Sequence, residues 1–146
     1  MSRAWPVEGI DPEGTLAENA RRILAVRMAE FYSYTPIVGR EEAVVELHDL
    51  RIAAKRLRYS LELFRAVFGE EGERQIARVK ALQEELGLIH DHDVRIALVE
   101  DELAALPDGG RGNGAGPAAA GGDPRSGLVL LLGRERAARR AARAAF

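Results

Sequence analysis

The stretch 45–68, which opens Val-Glu-Leu-His-Asp-Leu-Arg, restricts the possible folds more than any other part of the sequence. Leu47, Leu50, Ala54, Leu57, Leu61, Phe64 and Phe68 recur at helical spacing. At about 100° per residue they fall on one face of a single helix. Beside that face runs a second stripe, His48, Arg51, Lys55 and Arg58, spaced i, i+3, i+7, i+10. These side chains leave the helix on one side, so their positive potentials add. Glu62 closes the row, and Arg56 points away from it. A helix that is apolar on one side and cationic on the next reads as a bundle member presenting a charged groove to an anion.

Composition narrows the class of bundle. At 146 residues the length suits one domain, 1–146. Hydrophobic residues make up 47% and charged residues 30%, the balance of a soluble globular chain rather than a disordered one. Aromatics are only 5% while alanine is abundant, which favours helix packing over a β core. With no cysteine, disulfides, thiol chemistry and cysteine-ligated metals are excluded. The first residues hold no apolar core of signal-peptide length, and the run Leu128–Leu132 is too short to span a bilayer, so a cytoplasmic protein is expected. A net charge of −2 and a pI near 6.0 argue against a general nucleic-acid binder. The average conceals an acidic stretch from Glu70 to Asp108 and a basic one from Arg134 to Arg143, so an anion site has to be local.

Along the chain, Pro6, Gly9, Pro12 and Gly14 make residues 1–14 an extended lead-in. Thr15-Leu-Ala-Glu18 fits a capping box that opens a first helix running to about Tyr34, where Thr35-Pro36 stops it. Leu16, Ala20, Ile23, Leu24, Met28 and Phe31 form its inner face; Arg21, Arg22 and Arg27 lie off that face and can join a cationic surface. The second helix is expected over about Glu41–Phe68, with Glu41, Glu42 and Glu46 suiting its N-terminal dipole and Gly69 and Gly72 closing it. A third begins near Glu73 with Ile76, Val79, Leu82, Leu86 and Ile89 inward. It bends near Gly87 and resumes through Val94, Leu98 and Leu103 until Pro107. Residues 107–127 have the composition of a flexible linker, which as a coil spans on the order of 25 Å. That length is enough to carry the last helix, about Leu128–Phe146, across a bundle or onto a neighbouring subunit.

Two of these motifs carry a resemblance. Leu47–Phe64 (LHDLRIAAKRLRYSLELF) resembles the signature helix of CHAD domains, the conserved histidine α-helical domains. Leu82–Val94 (LQEELGLIHDHDV) resembles the family's second motif: Leu-Gln, then Leu-Gly, then Asp before an apolar residue. The likeness spans roughly Thr15 to Leu103. It implies an all-α fold in which two four-helix halves are related by a pseudo-twofold axis, and binding of inorganic polyphosphate along a basic groove. This chain carries one copy of each motif and so resembles a half-length member. Its Lys-Arg-Leu-Arg-Tyr version is similar to the second repeat of longer relatives. The resemblance implies an antiparallel four-helix half that pairs as a C2 homodimer to close its groove. Position by position, His48, Arg51, Lys55, Arg56 and Arg58 match the basic signature and Tyr59 its aromatic. Asp91 or Asp93 matches the acidic residue, a register the repeated His-Asp leaves open.

Competing readings accompany several of these residues. The cationic row is either an anion site or a solvated face with i,i+4 pairs such as Arg58 with Glu62. His48 either contacts phosphate or is tethered to a carboxylate. His90-Asp91-His92-Asp93 invites a metal-dependent phosphohydrolase, but successive helical side chains fan around the axis and cannot all meet one ion. Asp91 is read instead as orienting the cationic row. The arginine-rich last helix either walls the groove, the favoured reading, or contacts nucleic acid or acidic lipid. No nucleophile with a positioned base, P-loop or dinucleotide turn is present.

The expectation is therefore a non-catalytic, cofactor-free binder of polyphosphate or a similar polyanion. Its ligands are Arg51, Lys55 and Arg58, helped by His48, Arg56, Tyr59 and Lys80, with Arg21, Arg22 and Arg27 nearby and Asp91 and Asp93 in support. The rivals are a metal phosphohydrolase and a helical adaptor or dimerisation module.

Overall fold

The structure, a computed structural model, describes residues 3–106 and 124–146. Among these residues it is all helical: α1 Leu16–Tyr32, a short 3-10 turn Thr35–Ile37, α2 Val44–Leu63, α3 Arg65–Ala105 and α4 Pro124–Ala145. The expected linker lies, over 107–123, outside the described residues. Residues up to His90, with Phe146, form one compact unit, and those from Asp91 to Ala145 form another. None of the described helices is long and apolar enough to cross a membrane.

The start of α1 is set locally. Thr15 accepts the Glu18 backbone N–H through its hydroxyl, and Glu18 reaches back to the Thr15 N–H at 3.0 Å, so two otherwise unfilled donors are satisfied reciprocally. The lead-in is tied to the same helix: Asn19 exchanges two hydrogen bonds with the Asp11 backbone, and Arg22 donates to the Gly9 carbonyl at 2.7 Å.

Helix α2 follows the apolar pattern, with Leu47, Leu50, Ala53, Ala54, Leu57, Leu61 and Phe64 all buried. Its bounds differ from the expected Glu41–Phe68. Glu41 and Glu42 precede it, and Phe64 leaves helical geometry at φ −103°, ψ 21°. The break then comes at Gly69, whose φ of 52° and ψ of −138° suit a residue without a Cβ, and the chain runs on helically from there to Ala105. The expected bend at Gly87 is absent, since Gly69 alone within α3 departs from helical φ and ψ. Ala54, Leu57 and Leu61 of α2 pack with Ile76 and Val79 of α3, and Leu24 and Phe31 of α1 lie against that cluster.

Beneath the apolar contacts lies an ion pair that the pattern did not signal. Glu30 of α1 is 1% exposed, and its carboxylate takes Arg27 on one oxygen and Arg56 of α2, at 2.6 Å, on the other. Arg27 also donates to the Trp5 carbonyl at 2.7 Å. The acid thus joins its own helix, α2 and the lead-in.

In the second unit, α4 begins at Pro124, earlier than expected, because proline is tolerated in a first turn where its missing N–H has no partner to lose. It meets α3 through His92 Nδ1 and Glu135 at 2.7 Å, Asp93 and Arg139, and Glu100 and Arg136 at 2.6 Å. Val99 and Leu132 are buried in this unit, whereas Val94 and Leu98, expected inward, are exposed. The physical reason is angular: α4 covers the side of α3 that carries His92 and Val99, and Val94 and Leu98 turn away from it.

Two expected outcomes follow. Glu30→Gln leaves two guanidinium groups against a neutral amide and is expected to lower stability by about 3 kcal/mol, read from the urea midpoint at unchanged m-value. Thr15→Ala is expected to cost about 1 kcal/mol through loss of the cap. The Thr15 backbone N–H and then its hydroxyl hold the Glu18 carboxyl below its ordinary 4.5. A carboxyl lowered on folding stabilises fully above that ordinary value, and its contribution fades as pH falls through the lowered one. An NMR pH titration showing Glu18 at or above 4.5 would contradict this arrangement.

Candidate functional site

The cationic row of α2 lies along the seam with α3. The His48 and His90 rings sit 4.7 Å apart, centroid to centroid, tilted by 36°. One turn along each helix, a Cβ placed on Gly87 would stand 3.9 Å from Arg51 Nε. His48 precedes Arg51 while His90 follows Gly87, so the helices run antiparallel here. Continued at helical spacing, that register sets Lys55 against Gln83 and Arg58 against Lys80. The apolar pairing of Leu57 and Leu61 with Ile76 and Val79 has the same sense. The row on α3, Lys80, Gln83, Gly87 and His90, therefore repeats the spacing of the row on α2.

The members of the row differ in what they already hold. Arg51 and Lys55, both half-buried, have no carboxylate within ion-pair distance among the described residues, and neither has exposed Lys80. Arg58 lies over the Tyr59 ring at 4.9 Å and reaches Glu62 only at 3.7 Å, with its Nε buried and unfilled. His48 Nδ1 is likewise buried without a hydrogen-bond partner. Three like charges beside one another without counter-charge form a site of raised positive potential.

The other expected residues are placed differently. Arg56 and Arg27 engage Glu30, Arg22 engages the Gly9 carbonyl, and Arg21 is exposed on α1. Asp93, expected to support the row, instead receives Arg139 of α4. Asp91 is exposed, and its carboxylate makes no hydrogen bond or ion pair among the described residues. Of the His-Asp-His-Asp stretch, His90 meets His48, while His92 and Asp93 meet α4. Among the described residues no three His, Asp or Glu groups gather as a metal site would require.

Sequence reasoning missed Glu30; it had Gln83 in the second motif without a role, and read His90 only as a candidate metal ligand. Glu30 carries one available signal: an acid one turn after Arg27, bordering the apolar face. Gln83 and His90 show their place only when the α3 spacing is laid against that of α2.

Gly87 gives Arg51 room to lie across α3. A methyl group there meets only the Arg51 side chain, at ordinary contact distance. Gly87→Ala is expected to stabilise the helix by up to about 1 kcal/mol, seen as a raised Tm, while Gly87→Leu is expected to displace Arg51. A lower Tm for the alanine variant would show that the backbone there needs glycine.

Among curated proteins and among solved structures, nothing matches the chain. A family model described as the CHAD domain matches residues 3–100, a span that contains α1, α2, the cationic row and the α3 residues facing it. With well over half of its length inside that match, the chain belongs to the CHAD domain family.

Proposed function

We propose that the protein binds inorganic polyphosphate, or a polyanion of similar charge spacing, along the α2–α3 seam and without catalysis. The observation that carries the reading is that Arg51 and Lys55 stand in a cationic row with no carboxylate partner among the described residues. Membership of a family associated with polyphosphate supports the choice of anion.

The chemistry is direct. Arg51 offers a planar fork that fits two oxygens of one phosphate, and Lys55 and Lys80 offer compact ammonium groups. Arg58 has an Nε–H still to give, and Tyr59 fixes its guanidinium by stacking. His48 offers a ring nitrogen as a further hydrogen-bonding group. A linear polyanion bound along the row releases its condensed counterions, so affinity falls steeply with salt. Arg56 and Arg27, held by Glu30, add long-range positive potential beside the seam.

The same proposal has α1 to α4 form an antiparallel four-helix half, with two copies pairing about a twofold axis so that a second row faces the first. An apolar cleft of about 330 Å³ between Leu24, Met28, Leu57 and Val79, with Met28 and Tyr32 exposed beside it, is surface such a partner can cover. A cytoplasmic setting belongs to this reading as well.

The test is titration with polyphosphate at several salt concentrations on protein whose oligomeric state is fixed by light scattering. The expected result is binding to a dimer that weakens as salt rises. Arg51→Glu combined with Lys55→Glu reverses two half-buried charges and is expected to weaken binding at least about 100-fold with helicity retained. Unchanged affinity in that variant would remove the row from the site. A folded wild type that binds nothing at low salt would point to an adaptor role instead.

A further inference from the structure

The seam contains one side chain for which anion binding by the cations alone gives no role. Gln83 Oε1 is buried and accepts no hydrogen bond from any described residue, and the side chain makes no other. A buried acceptor costs stability unless a donor reaches it, which gives this oxygen a use wherever donors stand close by.

Its surroundings show what that use is. By the register fixed at His48–His90 and Arg51–Gly87, Gln83 faces Lys55. Lys55, Arg51, Arg58 and Lys80 are donors only, and an amide carbonyl is the neutral group that accepts from them without cancelling their charge. A carboxylate in that position would hold a lysine more firmly but would also repel phosphate. An ammonium has three N–H bonds; with one directed to an amide oxygen, the other two are left for phosphate oxygens.

We propose that Gln83 is a positioning residue of the anion site, its side-chain carbonyl taking one Lys55 N–H so that the ammonium is held over the seam when a polyphosphate binds. The inference rests on the anion-binding reading above. It separates into two properties that a merely structural glutamine would not combine. Removing the carbonyl relieves an unfilled buried acceptor in the free protein, so stability holds or rises. The same change leaves Lys55 without its support, so binding weakens.

The experiment uses the full chain, inorganic polyphosphate of one defined length, and four proteins: wild type, Gln83→Leu, Lys55→Met and the double variant. Affinity is measured by calorimetry at two salt concentrations, and Tm without ligand. Gln83→Leu is expected to lower affinity by about tenfold with Tm unchanged or raised, and to have no further effect once Lys55 is methionine. Gln83→Met, of similar length and without the carbonyl, stands in if the leucine variant does not fold.

Three results would overturn the inference. Affinity equal to wild type in the Gln83 variants is one, and a tenfold loss that persists in the Lys55→Met background is another. A lower Tm accompanying the loss of binding is the third, because it would make Gln83 a structural residue. If wild type binds and Arg51→Glu with Lys55→Glu does not, an unaffected Gln83 variant refutes this inference alone. If wild type does not bind, both readings fall.

Discussion

The antiparallel packing of α2 against the first part of α3 is the constraint on which the candidate site depends. Leu57 and Leu61 cannot pack with Ile76 and Val79 in a shifted register without exposing apolar surface, at a cost of roughly 25 cal/mol for each Å² returned to water. Holding those residues fixes the helices along and about their axes. The polar row beside them is then fixed too, because both stripes belong to the same two helices. His48 meets His90 and Arg51 crosses Gly87 as consequences of apolar packing a few residues away. The site needs no separate device to align it.

The same packing sorts the cations. A guanidinium close to a buried carboxylate is drawn into an ion pair, since an unpaired buried charge is expensive. Glu30 therefore takes Arg27 and Arg56, and in the second unit Asp93 takes Arg139. Arg51 and Lys55 stand on the strip of α2 that no such carboxylate reaches among the described residues. Both are half-buried, which exposes them less to solvent screening than free surface lysines and makes their mutual repulsion correspondingly larger. On the proposed reading, a bound anion relieves that repulsion.

How much was legible in the sequence follows from this sorting. The buried face of α2 could be read because its spacing has one period and no competing signal. The capping box at Thr15 could be read because both partners lie within one turn. The end of α2 was misplaced, since Phe64 and Phe68 both fit the apolar stripe while the chain leaves the helix at Phe64 and turns at Gly69. The cationic row was evident as a set of residue types, but its division into engaged and unengaged members was not. The angle of Arg56 off the row and the pairing of Arg58 with Glu62 one turn away could be read, but only the fold brings Glu30 from another helix to Arg56. Asp93 shows the same limit, for its partner lies far along the chain in α4.

A row made only of donors is also an incomplete binding surface. Lysine and arginine attract a polyanion at long range, but flexible side chains lose rotamer freedom when they meet it, and that loss subtracts from affinity. A rigid helix facing the row can reduce it by offering fixed contacts. Gly87 does so by leaving room, letting Arg51 lie across α3. On the proposed reading, Gln83 contributes an acceptor where every cation opposite is a donor. Such an acceptor trades a little stability for fixed contacts to the donors around it, the kind of local compromise expected where a surface serves a ligand as well as the fold.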